Sequence, residues 1–255
     1  MSLFDLNGKS AIITGSSRGI GKAIAYELAE HGARVTISSR KPEPCAEVAA
    51  DINAKYGEGT AIAVPANISS KDDLQNMVDE TNASFGQVDI VVCNAASNPF
   101  YGSLQDISDD QFQKILSNNV VANNWLINMV LPQMKERKDG AVVIISSIGG
   151  LKGSPVIGAY NISKAADFQL ARNLCVEHGK DNIRVNCIAP GLIRTDFARA
   201  LWENPETLKR ALAYTPMDRI GEPEEIAGAA VFLASKAGAY MNGQMIVIDG
   251  GQTIT

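Results

Sequence analysis

Two side chains four positions apart, Tyr160 and Lys164 in Tyr160-Asn161-Ile162-Ser163-Lys164, could between them move a proton. The segment has helical spacing, and residues i and i+4 share one helix face, so phenol and ammonium can meet. A free tyrosine titrates near pH ~10, and a neighbouring cation favours the phenolate, bringing the group toward useful acid/base behaviour. An amphipathic tyrosine beside a solvated lysine has the same spacing, so the pair needs context. A second segment, Thr14-Gly15-Ser16-Ser17-Arg18-Gly19-Ile20-Gly21, follows an apolar run and opens a helical stretch. Glycine bends sharply and lets backbone approach a pyrophosphate, while a helix start offers unpaired N–H groups and partial positive charge. Gly15, Ser17, Arg18, Gly19 and Ile20 are therefore candidate dinucleotide contacts, against the alternative of a tight strand-to-helix turn.

The choice of dinucleotide is read further on. Folds that prefer NAD usually place Asp or Glu about 20 residues beyond the turn, where it accepts hydrogen bonds from the adenosine ribose. Here the second apolar run ends Ser38-Ser39-Arg40, with no carboxylate to repel a 2'-phosphate. Arg40 and Arg18 could grip such a phosphate with planar, always-charged forks. NADP(H) is expected, with NAD(H) possible, and Ser39 and Arg40 are expected at the adenosine end. The alternative is that Arg40 only caps a surface loop.

These residues need a scaffold. Runs rich in β-branched residues at Ser10–Thr14, Arg34–Ser38, Thr60–Val64, Val88–Cys93, Ala141–Ser146, Arg184–Ile188 and Met245–Ile248 predict short strands buried on both faces. Helical spacing marks Ile20–His31, Leu74–Phe85, Phe112–Lys138, Ala159–Gly179 and Glu224–Leu233 between them. The alternation predicts one α/β domain over residues 1–255: a doubly wound parallel sheet of about seven strands, a three-layer Rossmann fold. Its ligands belong beyond the carboxyl ends of the strands.

Composition narrows the function classes. With 23 basic and 28 acidic side chains the net charge is -5, and no Lys/Arg run marks a face for nucleic acid or anionic lipid. No stretch approaches the roughly 20 apolar residues of a membrane span, and no secretory leader is read at the start. Cys45, Cys93, Cys175 and Cys187 are far apart, so a reduced, cytoplasmic setting is expected and no metal site is.

Taken together, these segments resemble the short-chain dehydrogenase/reductase family nearly end to end, from the Thr14 turn to Asp249-Gly250-Gly251. The family places a serine 13 residues before its tyrosine, which is Ser147 here. Its catalytic asparagine is best matched by Asn119 in Asn118-Asn119-Val120, with Asn118 a rival. The resemblance implies that Tyr160 exchanges a proton with the substrate oxygen and that Ser147 holds that oxygen. It also implies that Lys164 binds the nicotinamide ribose and lowers the pKa of Tyr160, and that Asn119 fixes a water leading to Lys164. Asn94-Ala95-Ala96 stands where the family has Asn-Ala-Gly, and Asn67-Ile68 where it has Asp-Val on the adenine side. Pro190, Gly191, Ile193 and Thr195 would border the nicotinamide.

The segment Leu192–Met217 occupies the family's substrate-lid position and holds Phe197, Leu201, Trp202, Leu208, Leu212, Tyr214 and Met217. An apolar, small to medium carbonyl or alcohol substrate is expected, unless these residues simply pack a helix pair. Asn98-Pro99-Phe100, Pro190–Thr195 and Leu201-Trp202 are similar to the branch of NADP-dependent carbonyl reductases and retinol dehydrogenases found in peroxisomes. The final Thr253-Ile254-Thr255 lacks that compartment's Ser-Lys-Leu address. A homotetramer is expected from the resemblance alone. The rival functions are 3-oxoacyl thioester reduction for fatty-acid synthesis and a dinucleotide-binding regulator without turnover.

Overall fold

The computed structural model describes residues 2–255. Seven strands form one parallel sheet: β1 Ser10–Thr14, β2 Arg34–Ser38, β3 Ala61–Ala63, β4 Ile90–Cys93, β5 Gly140–Ile145, β6 Ile183–Pro190 and β7 Met245–Ile248. Their order across the sheet is β3-β2-β1-β4-β5-β6-β7. Every residue of β1, β4 and β5 is buried, as continuous apolar runs between two helical layers require.

Helices α1 Gly19–Glu30, α2 Pro42–Tyr56 and α9 Pro223–Ala234 cover one face, and their apolar sides share a core with Ile13, Val35 and Val92. Helices α3 Lys71–Phe85, α5 Ala122–Arg137 and α6 Gly158–His178 cover the other, around Ile12, Val91 and Ile144. The strand order reverses between β1 and β4, and ligands of such sheets bind in the crevice beyond the carboxyl ends of the strands at that point. The doubly wound Rossmann architecture and all seven strands are therefore as expected.

Two differences matter for the site. Helical spacing predicts one helix over Phe112–Lys138, but the chain forms α4 Asp109–Leu116, a π-turn Ser117–Val121 and then α5. Such widened turns occur mostly where an α-helix is adapted to a local demand, and here the turn faces Asn118 and Asn119 into the interior. Helix α2 is not marked by periodicity; Pro42 at its start and only four buried residues give it a weak apolar stripe. Among the described residues, no helix is long and apolar enough to cross a membrane.

Candidate active site

The phosphate turn is built by hydroxyls. Thr14 Oγ1 accepts from the backbone N–H groups of Asn94 and Ala95, each at 3.0 Å, and so ties β1 to the segment after β4. Ser16 Oγ donates to the Ile13 carbonyl at 2.7 Å and accepts from Ser38 N at 2.9 Å, fixing the turn to the end of β2. Gly15 and Gly19 have φ of 67° and 56°, which side-chain-bearing residues rarely adopt. A Cβ on Gly21 would lie 2.5 Å from both Asn94 Nδ2 and the Gly15 carbonyl, so helix α1 meets the turn at backbone distance. Arg18 precedes α1 in extended conformation, and no side chain caps the helix. Its first N–H groups stay available to an anion.

At the adenosine end, Ser39 is half-buried with its hydroxyl 3.1 Å from Cys45 Sγ. Arg40 is exposed and in no ion pair among the described residues. It stands just before α2, whose start also lacks a side-chain cap, a second positive element that the sequence reading did not single out. Arg18 instead pairs with Asp196 of the lid at 3.3 Å, so only Arg40 is unengaged. Asn67 is exposed, its backbone N–H bonded to Asp73 at 2.9 Å, and Ile68 beside it is half-buried. The crevice thus offers an uncapped helix start, a glycine-shaped cradle and an unpaired cation, features that suit a dinucleotide carrying an extra phosphate.

Ser147, Tyr160 and Lys164 converge past the end of β5. Ser147 follows β5 in extended conformation and opens a short 3₁₀ turn, Ile148–Gly150, its Oγ accepting from Gly149 N at 3.0 Å. A Cβ on Gly150 would stand 2.7 Å from the Lys164 backbone carbon, and one on Gly149 would stand 2.4 Å from Asn161 Oδ1. These two glycines let the turn lie directly on α6, which brings the Ser147 hydroxyl beside the Tyr160 phenol. The glycine pair between serine and tyrosine was the signal in the sequence that could have predicted this contact. Ser146 Oγ adds a 2.8 Å bond to the Lys164 carbonyl.

Lys164 Nζ lies 5.7 Å from the Tyr160 ring centroid, and its hydrogen bonds go to the Ile145 carbonyl at 2.8 Å and Asp167 Oδ2 at 3.1 Å. Lys164 is 2 % exposed and Asp167 not at all. Burial alone would lower the Lys164 ammonium, but the Asp167 carboxylate, aided by Tyr160, holds it above its ordinary value. For Tyr160 burial is the largest influence and pushes the phenol up, with Lys164 and Ser147 pulling the other way. The expected lowering by Lys164 is therefore present but outweighed, because burial of the phenol opposes it and Asp167 offsets the ammonium. Asp167 was missed in the sequence reading: an Asp in the middle of a helix looks like one more solvated polar residue.

Asn119 is fully buried. Its Nδ2 donates to the Ser97 carbonyl and to Ser163 Oγ, both at 3.0 Å, and its Oδ1 accepts from Ser97 N at 2.8 Å. Its side chain is thus spent on positioning, and its carbonyl accepts from Asn123 Nδ2 at 2.6 Å. The rival Asn118 bonds Ser69 Oγ and Ser97 Oγ. On the nicotinamide side, Pro190 ends β6, and a Cβ on Gly191 would sit 2.8 Å from Asp249 Cα. Ile193 is 5 % exposed, with its side chain packed in the core. Thr195 is half-buried, with its methyl toward Gly19.

The lid comprises α7 Arg199–Trp202 and α8 Pro205–Leu212, and neither buries a single residue. Phe197, Tyr214 and Met217 are exposed, and Leu201, Trp202, Leu208 and Leu212 are half-buried, so the apolar set does not form a packed helix pair. The Phe197 ring lies 6.0 Å from that of Tyr160. Among the described residues, no group of three or more His, Cys, Asp or Glu could hold a metal ion.

The family model described as enoyl-(acyl carrier protein) reductase matches residues 15–253. The chain is 41 % identical over 247 residues to the bovine (Bos taurus) dehydrogenase/reductase SDR family member 4, covering 96 % of this chain and 88 % of that protein. Its human counterpart is 40 % identical over 250 residues, with the same coverages. Among solved structures, a putative gluconate dehydrogenase from Agrobacterium tumefaciens superposes with a TM-score of 0.95 at 31 % identity, covering 100 % of both chains. A gluconate 5-dehydrogenase from Burkholderia cenocepacia, in complex with NADP and tartrate, gives 0.93 at 31 % identity, covering 99 % of this chain and 98 % of that one. A 7α-hydroxysteroid dehydrogenase with NADH and 7-oxo-glycochenodeoxycholic acid gives 0.92 at 35 % identity, covering 97 % and 95 %.

Proposed function

Because the chain belongs to the short-chain dehydrogenase/reductase family and is an oxidoreductase of alcohols and carbonyls, we propose that it interconverts an apolar, small to medium ketone or aldehyde with its alcohol using NADP(H). The observation that carries the reading is the meeting of Ser147 and Tyr160 over Lys164 at the open end of the sheet. In the direction of reduction, the bound nicotinamide supplies the hydride. Tyr160 donates its phenolic proton to the substrate oxygen, and the Ser147 hydroxyl hydrogen-bonds that oxygen as charge develops on it. The Lys164 ammonium stabilises the phenolate left behind. Asn119 keeps the Ser97 segment and Ser163 in place around the pair. For oxidation, Tyr160 takes the hydroxyl proton instead.

The missing carboxylate after β2 and the unengaged Arg40 support NADP(H) over NAD(H). The exposed and half-buried apolar side chains of the lid, with the Phe197 ring 6.0 Å from that of Tyr160, support an apolar substrate. For a carrier-bound thioester, Arg194 and Arg199 of the lid segment are paired with Glu222 and Asp196, while the exposed Lys209 and Arg210 of α8 are in no ion pair among the described residues. A homotetramer in a reducing compartment is part of the reading. Val176 and Tyr240, both large, apolar and far exposed, and four free thiols are in keeping with it.

Incubating the protein with NADPH or NADH and a panel of ketones, aldehydes, oxo-steroids and keto-sugar acids, and following loss of the reduced nicotinamide, tests all of this. Consumption with simple apolar ketones is expected. Turnover confined to sugar acids would reject the substrate class, and none at all would favour a regulator.

A further inference from the structure

Asp167 is a buried carboxylate for which the proton-transfer scheme has no use. It lies one turn beyond Lys164 on α6, between Lys164 Nζ at 3.1 Å and Asn123 Nδ2 at 3.3 Å. A buried ion pair is a poor means of stabilising a fold, since packed apolar residues in the same space commonly do as well or better. Its presence beside Tyr160 calls for a different reason. We propose that Asp167 is a positioning residue for the proton transfer: its carboxylate seats the Lys164 ammonium against the Ile145 carbonyl, beside the Tyr160 ring, and keeps it cationic there. The inference rests on Tyr160 and Lys164 being the acid/base pair proposed above.

The surroundings leave Asp167 no substitute in this task. Lys164 is faced by Tyr160 and Asp167 from its own helix, by the Ile145 carbonyl from β5 and by Cys187 from β6. Cys93 of β4 and Cys187 both sense the same charges, and burial pushes both thiols far up, so neither is an anion. Asn123 holds the other carboxylate oxygen while donating to the Asn119 carbonyl at 2.6 Å, so the π-turn fixes where the carboxylate stands. Without Asp167, only the Ile145 carbonyl and the Tyr160 oxygen would oppose the burial of the ammonium, and neither is a resident carboxylate. Desolvation favours the neutral amine, and Lys164 would lose its proton at lower pH.

The test is a pH titration of protein labelled with [ε-13C]lysine, followed by NMR without cofactor, with the Lys164 signal assigned as the one lost in Lys164→Arg. In the wild type it is expected to titrate above the exposed lysines, and in Asp167→Asn below them, a difference of about one pH unit or more. Titration at the same pH in both proteins would overturn the proposal. Should Asp167→Asn not fold, the wild type decides alone: a Lys164 signal titrating with or below the exposed lysines overturns it. In turnover, Asp167→Asn is expected to lose rate on the alkaline side where the wild type keeps it, and Asp167→Glu to recover part. Superimposable normalised profiles would remove the link to catalysis. Absence of wild-type turnover with every substrate would instead sink the acid/base reading, while leaving the titration result intact.

Discussion

Tyr160 and Lys164 share a helix face with the ammonium nitrogen 5.7 Å from the phenol ring centroid, yet the hydrogen bonds of that nitrogen run inward to Ile145 and Asp167. The lysine therefore acts on the tyrosine through its field and not through a direct bond. A field of this kind shifts a proton equilibrium without consuming the phenol's own hydrogen-bonding capacity, which stays free for Ser147 and a substrate oxygen.

Tyr160→Phe removes the transferable proton and leaves the ring packing. Turnover is expected to fall by roughly 10²- to 10⁴-fold, the usual range for a positioned general acid. NADPH binding, measured by fluorescence, stays within a factor of about two, because the crevice is unchanged. Near-normal turnover would reject the role.

The pH dependence follows from the same group. Burial raises the Tyr160 phenol above its ordinary value against the pull of Lys164. Oxidation needs the phenolate, so its rate is expected to climb as pH rises through the Tyr160 value, and the rate of reduction to decline over the same interval. Lys164→Met removes the opposing pull and moves both limbs to higher pH. An unshifted oxidation profile in that variant would show that the ammonium does not act on the phenol.

Arg40→Ala is expected to raise the KM for NADPH on the order of 10- to 100-fold, the loss of one charge-assisted contact, and to leave the KM for NADH nearly unchanged. Equal effects on both would remove the case for a 2'-phosphate beside β2. Arg18→Ala should do less, since Arg18 already has Asp196 as a partner.

Thr14→Val keeps shape but takes away the acceptor for the N–H groups of Asn94 and Ala95. Partly buried donors left without a partner cost about 1–3 kcal/mol, so thermal unfolding should come several degrees earlier. Weaker NADPH binding should accompany it, because the same bonds fix the turn. An unchanged melting temperature would mean that water replaces the hydroxyl.

The sequence by itself determined the alternation of strands and helices, since a parallel sheet covered on both faces leaves its period in apolar runs such as Ile90–Cys93 and Gly140–Ile145. It likewise determined the glycine turn and the Tyr160–Lys164 pair, whose partners are near in the chain and whose geometry is set by local helix or turn. What only the tertiary structure decided was every contact made across the sheet. The glycines at 149 and 150 close Ser147 onto α6, and the π-turn turns Asn119 inward to Ser97 and Ser163. Folding also packed the Ile193 side chain into the core and matched Asp167 with Lys164 where both are buried. Burial is the physical reason: the meaning of a charge or an amide depends on which distant groups exclude solvent around it, and no periodicity within one segment records that.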